Sequence, residues 1–167
     1  MGSTLADAPH MFILIRTVTY ATLFVGFLLW AVPAQILAAA GLRAPQSVGW
    51  AQTLGILAGI AGLGLTAGCL LTFVTVGKGT PAPFDPPRRL VNRGPYRLLR
   101  NPMYLGAAFW ILGLAMFYHS LGIAVYAGVF LFTAHLFVVL YEEPTLRRMF
   151  GDEYLDYCRR ARRWWPS

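Results

Sequence analysis

The 167 residues suffice for one domain; they are 57% hydrophobic and 13% charged, with a mean hydropathy of +0.55. A soluble domain carries about 25% charged residues, so this composition excludes an ordinary soluble enzyme and points to an all-α integral membrane protein. Of the fourteen Lys and Arg behind the net charge of +7, six lie in one segment (Lys78, Arg88, Arg89, Arg93, Arg97, Arg100) and six in the tail (Arg147, Arg148, Arg159, Arg160, Arg162, Arg163). Cytoplasmic loops of membrane proteins retain Lys and Arg, and groups placed among anionic headgroups are not expected to bind nucleic acid.

In chain order, residues 11–32 form the first apolar run, with Pro33 and Gly41 near its end and Arg43 and Pro45 marking a loop. Residues 49–76 form the second, long enough to span a bilayer with tilt. Its Gly55 and Gly59 make a small-xxx-small pair, expected to pack within the chain. Residues 77–101 break the pattern, because the Gly and Pro residues from Gly77 to Pro87 exclude a regular helix. Residues 102–118 and 121–141 are the third and fourth runs, joined by a tight turn near His119-Ser120. Pro102 suits a helix start, where its missing N–H costs nothing. Residues 145–163 read as an amphipathic helix with Leu146, Phe150, Tyr154, Tyr157 and Ala161 on one face. That helix, followed by Trp164-Trp165, is expected to lie on the membrane surface.

The expected architecture is therefore about four transmembrane helices plus a C-terminal amphipathic interfacial helix. Both termini and the 77–101 segment are expected in the cytoplasm, with the loop near residue 43 and the turn at 119–120 facing outward. The apolar runs are too many and too long for a cleaved signal peptide. Cys69 and Cys158 sit at different depths, which argues against a disulfide. His10, His119 and His135 lack ligand-spaced neighbours, so no metal is expected.

Two polar clusters flank the last hairpin. One runs from Arg97 to Gly106, the other is Tyr141-Glu142-Glu143-Pro144, and the 34 residues 107–140 between them contain no Asp, Glu, Lys or Arg. A charge at the edge of a bilayer needs a partner or a ligand. Counted from the turn, Pro102 is 17 residues back and Glu142 is 23 forward, so at about 1.5 Å per residue their depths differ by less than about 10 Å. Arg97, Arg100 and Tyr104 thus reach the level of Glu142 and Glu143. Arg100 pairing with either carboxylate would pin the hairpin. Two adjacent carboxylates together with Tyr96, Asn101, Tyr104 and Tyr141 exceed what a pin requires.

At these residues the chain resembles the integral-membrane methyltransferases related to isoprenylcysteine carboxyl methyltransferase and phospholipid N-methyltransferase. The motifs that carry the likeness are Gly94-Pro95-Tyr96-x-x-x-Arg100-Asn101-Pro102-x-Tyr104-x-Gly106 and Glu142-Glu143-x-x-Leu146. They are followed by Phe150-Gly151-x-x-Tyr154-x-x-Tyr157 and a closing Arg163 and Pro166. Isoprenylcysteine enzymes commonly carry His where Asn101 stands, and Asn-Pro-Met-Tyr and Tyr-Glu-Glu-Pro look more like the phospholipid branch. The resemblance implies an S-adenosylmethionine site at the cytoplasmic face, contacted by Tyr96, Arg100, Asn101, Pro102, Tyr104, Gly106, Tyr141, Glu142 and Glu143. It makes residues 77–167, with the hairpin 102–141, the cofactor-binding half. Residues 1–76 are then the expected acceptor side of a single membrane domain. Gly77-Lys78-Gly79 resembles a Gly-x-Gly element of the phospholipid branch, and a cytoplasmic loop explains it equally well.

The chemistry fits these residue types. An Arg fork suits the cofactor carboxylate, a Glu suits its ribose diol or ammonium, and tyrosines suit adenine or the sulfonium. Arg100, Tyr104 and Glu143 are the expected positioning residues, with Arg100 on the carboxylate and Glu143 on ribose or ammonium. The acceptor is expected to be an amphiphilic, lipid-like carboxylate or amine entering from the bilayer. An amine must lose a proton first, and His135, two turns before Glu142, is a candidate base that a polar helix contact would also explain. A different class of reading is a non-enzymatic transporter component or assembly factor that keeps the hairpin as structure. Compact size fits a prokaryotic inner membrane.

Overall fold

The computed structural model describes residues 26–77 and 89–165. Most of the first apolar run, Lys78 and Gly79 of the Gly-x-Gly element, and Pro166 lie outside the described residues. Those described form five helices: α1 Phe27–Ala39, α2 Trp50–Thr72, α3 Pro102–Phe117, α4 Leu121–Phe137 and α5 Glu143–Arg160. Wide π-helical turns occupy Phe27–Ala31, Phe73–Gly77 and Val138–Glu142, and a short 3-10 turn, Gly94–Arg97, precedes α3. Among the described residues the only β pairing is one isolated parallel bridge between Leu99 and Arg162.

Helices α2 and α3 run antiparallel in backbone contact. A Cβ on Gly62 would meet Gly106 O at 2.5 Å, and one on Gly113 would meet Gly55 O at 2.6 Å. The small residues thus let the two backbones close on each other, and the Gly55–Gly59 face is spent inside the chain. At the far end the Gln52 amide meets His119 Nε2 at 2.7 Å, tying the start of α2 to the α3–α4 turn. Ser120 caps α4 by accepting from Ile123 N–H. A core of Leu29, Ala107, Ile111, Ala115, Ile123 and Ala127 joins α1, α3 and α4. This topology brings the end of α2, the start of α3 and the end of α4 to one end of the bundle.

The outer surface is apolar. Leu121, Val125, Val129, Phe132, Leu136 and Leu140 form an exposed stripe along the α4 stretch at three- and four-residue spacing, Phe132 being 65% exposed. Two helical stretches, Trp50–Thr72 and the continuous Leu121–Arg160, contain segments long and apolar enough to cross a membrane. In lipid, backbone carbonyls left open by proline need protein donors. Pro33 offers no N–H to Leu29 O, its α-helical partner, nor to Leu28 O, its partner in the wider register. Trp110 Nε1 donates to Leu29 O at 2.9 Å and the Tyr126 hydroxyl to Leu28 O at 2.9 Å. Two aromatic donors on α3 and α4 therefore satisfy two carbonyls to which the proline offers no donor, and they tie α1 to both helices.

The sequence expectation for the tail needs two corrections. The helix ends at Arg160 rather than continuing to residue 163, and it is broken at Gly151 (φ 51°, ψ −123°). Only glycine adopts that conformation cheaply. On the apolar face of α5, Tyr154 and Tyr157 are buried with Ala161 against Leu90, and Leu146 and Phe150 pack beside them. Leu90 thus covers part of the face that the spacing marked as apolar.

Trp110→Phe is expected to lower stability by about 1–3 kcal/mol, the cost of one unsatisfied carbonyl. The loss should be markedly smaller in a Pro33→Ala background, where an N–H returns. Thermal unfolding of the four-protein cycle in detergent measures this coupling; equal losses in both backgrounds would refute it.

Candidate active site

Proline shapes the chain on both strands of the hairpin where they reach the site. Asn101 precedes Pro102, which disfavours helical geometry there; its φ of −126° and ψ of 48° turn the chain sharply into α3. Its buried side chain does not cap the helix but donates from Nδ2 to Arg163 O at 3.2 Å. On the other strand of the hairpin, Pro144 would clash with the preceding turn of a regular helix. The wide turn Val138–Glu142 accommodates it, with Glu143 N–H reaching back to Val138 O.

Adjacent helical residues point about 100° apart, so the two glutamates take different partners. Glu142 Oε2 accepts from the Tyr104 hydroxyl at 3.2 Å. Glu143 lies between two guanidinium groups. Arg163 grips it bidentately, Nε to Oε1 at 2.7 Å and Nη2 to Oε2 at 2.8 Å. Arg100 Nη1 lies 3.2 Å from the same Oε1, and both side chains of this second pair are largely buried. Arg100 Nη1 also donates to Cys158 Sγ at 2.7 Å. Its Nε is buried with no hydrogen-bond partner among the described residues.

Ala161–Trp165 forms an extended strap across the site. Arg100 N–H donates to Arg162 O at 2.7 Å, and Arg162 N–H to Leu98 O at 3.2 Å. Trp164 Nε1 donates to His135 Nδ1 at 3.1 Å, and its ring meets that of Tyr104 edge-on at 6.5 Å. With Nδ1 accepting, neutral His135 carries its proton on Nε2. Beneath the strap the Tyr157 hydroxyl donates to Tyr96 O at 2.7 Å. Burial pushes the Tyr157 phenol up, which keeps that donor protonated. The Glu143 hydrogen bond raises the Arg163 guanidinium above its ordinary range, so this cation keeps its charge at any ordinary pH.

The geometry thus assembles Arg100, Asn101, Tyr104, Glu142 and Glu143 at one end of a hairpin in an apolar bundle. A family model for phospholipid methyltransferases matches residues 50–153, well over half of the 167. The chain belongs to the phospholipid methyltransferase family. The chain is also 35% identical over 69 residues to protein-S-isoprenylcysteine O-methyltransferase A of Arabidopsis thaliana, and 29% identical over 73 residues to protein-S-isoprenylcysteine O-methyltransferase B of the same plant. These alignments cover 41% and 44% of this chain and 35% and 37% of those proteins. The chain therefore spans about a third of the length of the curated relatives it matches. No solved structure matches it.

Within this family member the other expected residues are placed as follows. Tyr96 is buried, its ring edge-on to Phe73 at 5.3 Å, and it faces the Tyr157 hydroxyl through its carbonyl. Pro102 is the first residue of α3 and fully buried. Gly106 turns its open side to Thr66 Oγ1, 2.5 Å from where its Cβ would stand, so its lack of a side chain serves helix contact. Tyr141 is exposed, with its ring beside Phe137 at 5.2 Å. His135 is engaged by Trp164 rather than standing free near Glu142. Arg163, Trp164 and Cys158 are the partners that spacing did not assign to the site. An open groove of about 230 Å³ along the α2–α3 seam, lined by Gly55, Gly59, Trp110, Gly113 and Phe117 among others, lies toward the opposite end of the bundle.

Removing Arg100 leaves a buried carboxylate short of a cation, whereas Arg163 is a third exposed. Arg100→Gln is expected to cost about 3 kcal/mol and Arg163→Gln about 1 kcal/mol. Chemical unfolding in detergent measures both; the reverse order would make the strap, not the hairpin, the dominant tie.

Proposed function

We propose that this chain is an S-adenosylmethionine-dependent membrane methyltransferase acting on an amphiphilic, lipid-like acceptor. The observation that carries the reading is the acid pair Glu142–Glu143 held against Arg100 and Tyr104 at one end of an apolar hairpin, in a member of this family. The residues fit the cofactor: Arg100 has a buried donor with no partner among the described residues, and Glu142 has only a neutral hydroxyl among its described hydrogen-bond partners. When bound, the cofactor supplies an electrophilic methyl group on a sulfonium. Arg100 binds the cofactor carboxylate through its fork. Glu143 takes the ribose diol or the ammonium. Tyr104, braced by Glu142 and Trp164, offers its ring to positive charge, and Tyr96, Asn101, Pro102, Gly106 and Tyr141 complete the neighbourhood. The task of these groups is to position the reactants and keep water out.

The family name speaks for a phospholipid amine, the names of the Arabidopsis relatives for an isoprenylcysteine carboxylate. A carboxylate acceptor needs no base. For an amine, Glu142 is the group placed to take the proton, since His135 already accepts from Trp164. The four-helix, up-and-down order supports four spans, with both termini and the 77–101 segment on the cytoplasmic side of a prokaryotic inner membrane. The acceptor enters from the bilayer beside residues 26–76.

Purified protein in lipid micelles is expected to transfer labelled methyl groups from S-adenosylmethionine to an amphiphile, either phosphatidylethanolamine or N-acetyl-S-farnesylcysteine. The matching water-soluble fragments, phosphoethanolamine or N-acetylcysteine, should remain unlabelled, and Arg100→Ala should abolish transfer. Labelling of the soluble fragments alone would overturn the lipid-acceptor reading. A non-enzymatic hairpin pin would show no transfer from any folded preparation.

A further inference from the structure

We propose that the C-terminal strap, residues 161–165, is a gate that lifts to admit the cofactor, and that Arg163 is a positioning residue holding Glu143 until the cofactor's ammonium replaces it. The inference rests on the reading that Glu143 receives the cofactor. Both oxygens of Glu143 are already taken by Arg163, at 2.7 and 2.8 Å, and Oε1 is shared with Arg100. Three donors leave one of the carboxylate's roughly four lone-pair sites open, so a ligand that engages both oxygens needs one of the two cations to yield.

Arg163 is the one able to yield. The Arg100 side chain is 14% exposed and is fixed by Cys158, while that of Arg163 is 35% exposed. Arg100 stands immediately before the rigid Asn101-Pro102 start of α3. Arg163 stands beyond the end of α5, where Ala161 leaves helical geometry (φ −113°, ψ 133°). Ala161 is buried and anchors the strap; past it the backbone is held by one hydrogen bond donated to Leu98 and two received, from Arg100 and Asn101. On the strap, Trp164 reaches Tyr104 and His135, so one lifting motion uncovers both glutamates. Replacing a guanidinium by an ammonium exchanges like charge for like. Glu143 then never stands buried without a cation, the state that is most costly.

The test is the rate of S-adenosylhomocysteine binding to the full chain in detergent, followed by stopped-flow tryptophan fluorescence. In the wild type the observed rate should level off at high ligand, because strap opening becomes limiting. In Arg163→Gln the rate should rise linearly and be about tenfold faster at the same ligand concentration. Trp164→Phe, which keeps the ring but removes the donor to His135, should raise the plateau by less. Amide exchange at Arg162 should be faster in both variants, and the wild-type plateau, which a merely structural tie would not produce, separates a gate from such a tie. A wild-type rate that is linear throughout, with both variants binding at wild-type speed, would overturn the gate while leaving the cofactor site intact. No binding by a folded wild type would overturn the proposed function and the gate with it.

Discussion

The Glu143 carboxylate, shared by Arg100 and Arg163, is the interaction on which the rest of this structure depends. Charge at the rim of an apolar bundle is costly unless it is paired, and here three charges from three separate segments satisfy one another. Arg100 comes from the segment leading into α3, Glu143 from the exit of α4, and Arg163 from the strap beyond α5. The pairing closes the hairpin at one end, while the His119-Ser120 turn closes it at the other. It also gathers the side chains of the family motifs whose chemistry suits a charged cofactor.

A second constraint runs through the backbone. Proline in an apolar helix removes a donor that lipid cannot replace. The chain meets this twice with a wide turn just upstream, Phe27–Ala31 before Pro33 and Val138–Glu142 before Pro144. At Pro33 the freed carbonyls bind Trp110 and Tyr126, which converts a defect into a contact between helices. At Pro144 the wide turn re-aims the chain so that Glu142 faces Tyr104 and Glu143 faces the two arginines. The glycine seam between α2 and α3 holds these elements at fixed separation, since a side chain at Gly55, Gly62, Gly106 or Gly113 would strike backbone.

Much of this was legible in the sequence because it follows from local rules. The ends of α2, α3 and α4 fall close to the boundaries set by hydropathy, proline and the tight turn, and equal-depth counting brought Arg100 and Tyr104 to Glu142 and Glu143. The inward use of Gly55 and Gly59 followed from small-residue spacing. The strap was not legible. Residues 161–165 form no periodic element, and their pairing with Leu98–Arg100 spans about sixty positions with no pattern to mark it, so Arg163 and Trp164 surfaced only as motif letters. The covering of the α5 face by Leu90 was equally hidden, because periodicity reveals an apolar face and not what lies on it. Gly151 read as a motif residue, and only its positive φ shows that it bends the helix onto that partner.

Glu143 ties the hairpin to the strap, and one titration tests the proposal that it is also a cofactor ligand. Calorimetry of S-adenosylhomocysteine into the purified protein in detergent should show micromolar binding by the wild type. Glu143→Gln, which keeps an acceptor for the arginines but loses the charge, should remain folded and lose that binding. A folded wild type that binds nothing, or a glutamine variant that binds as well as the wild type, would contradict the account.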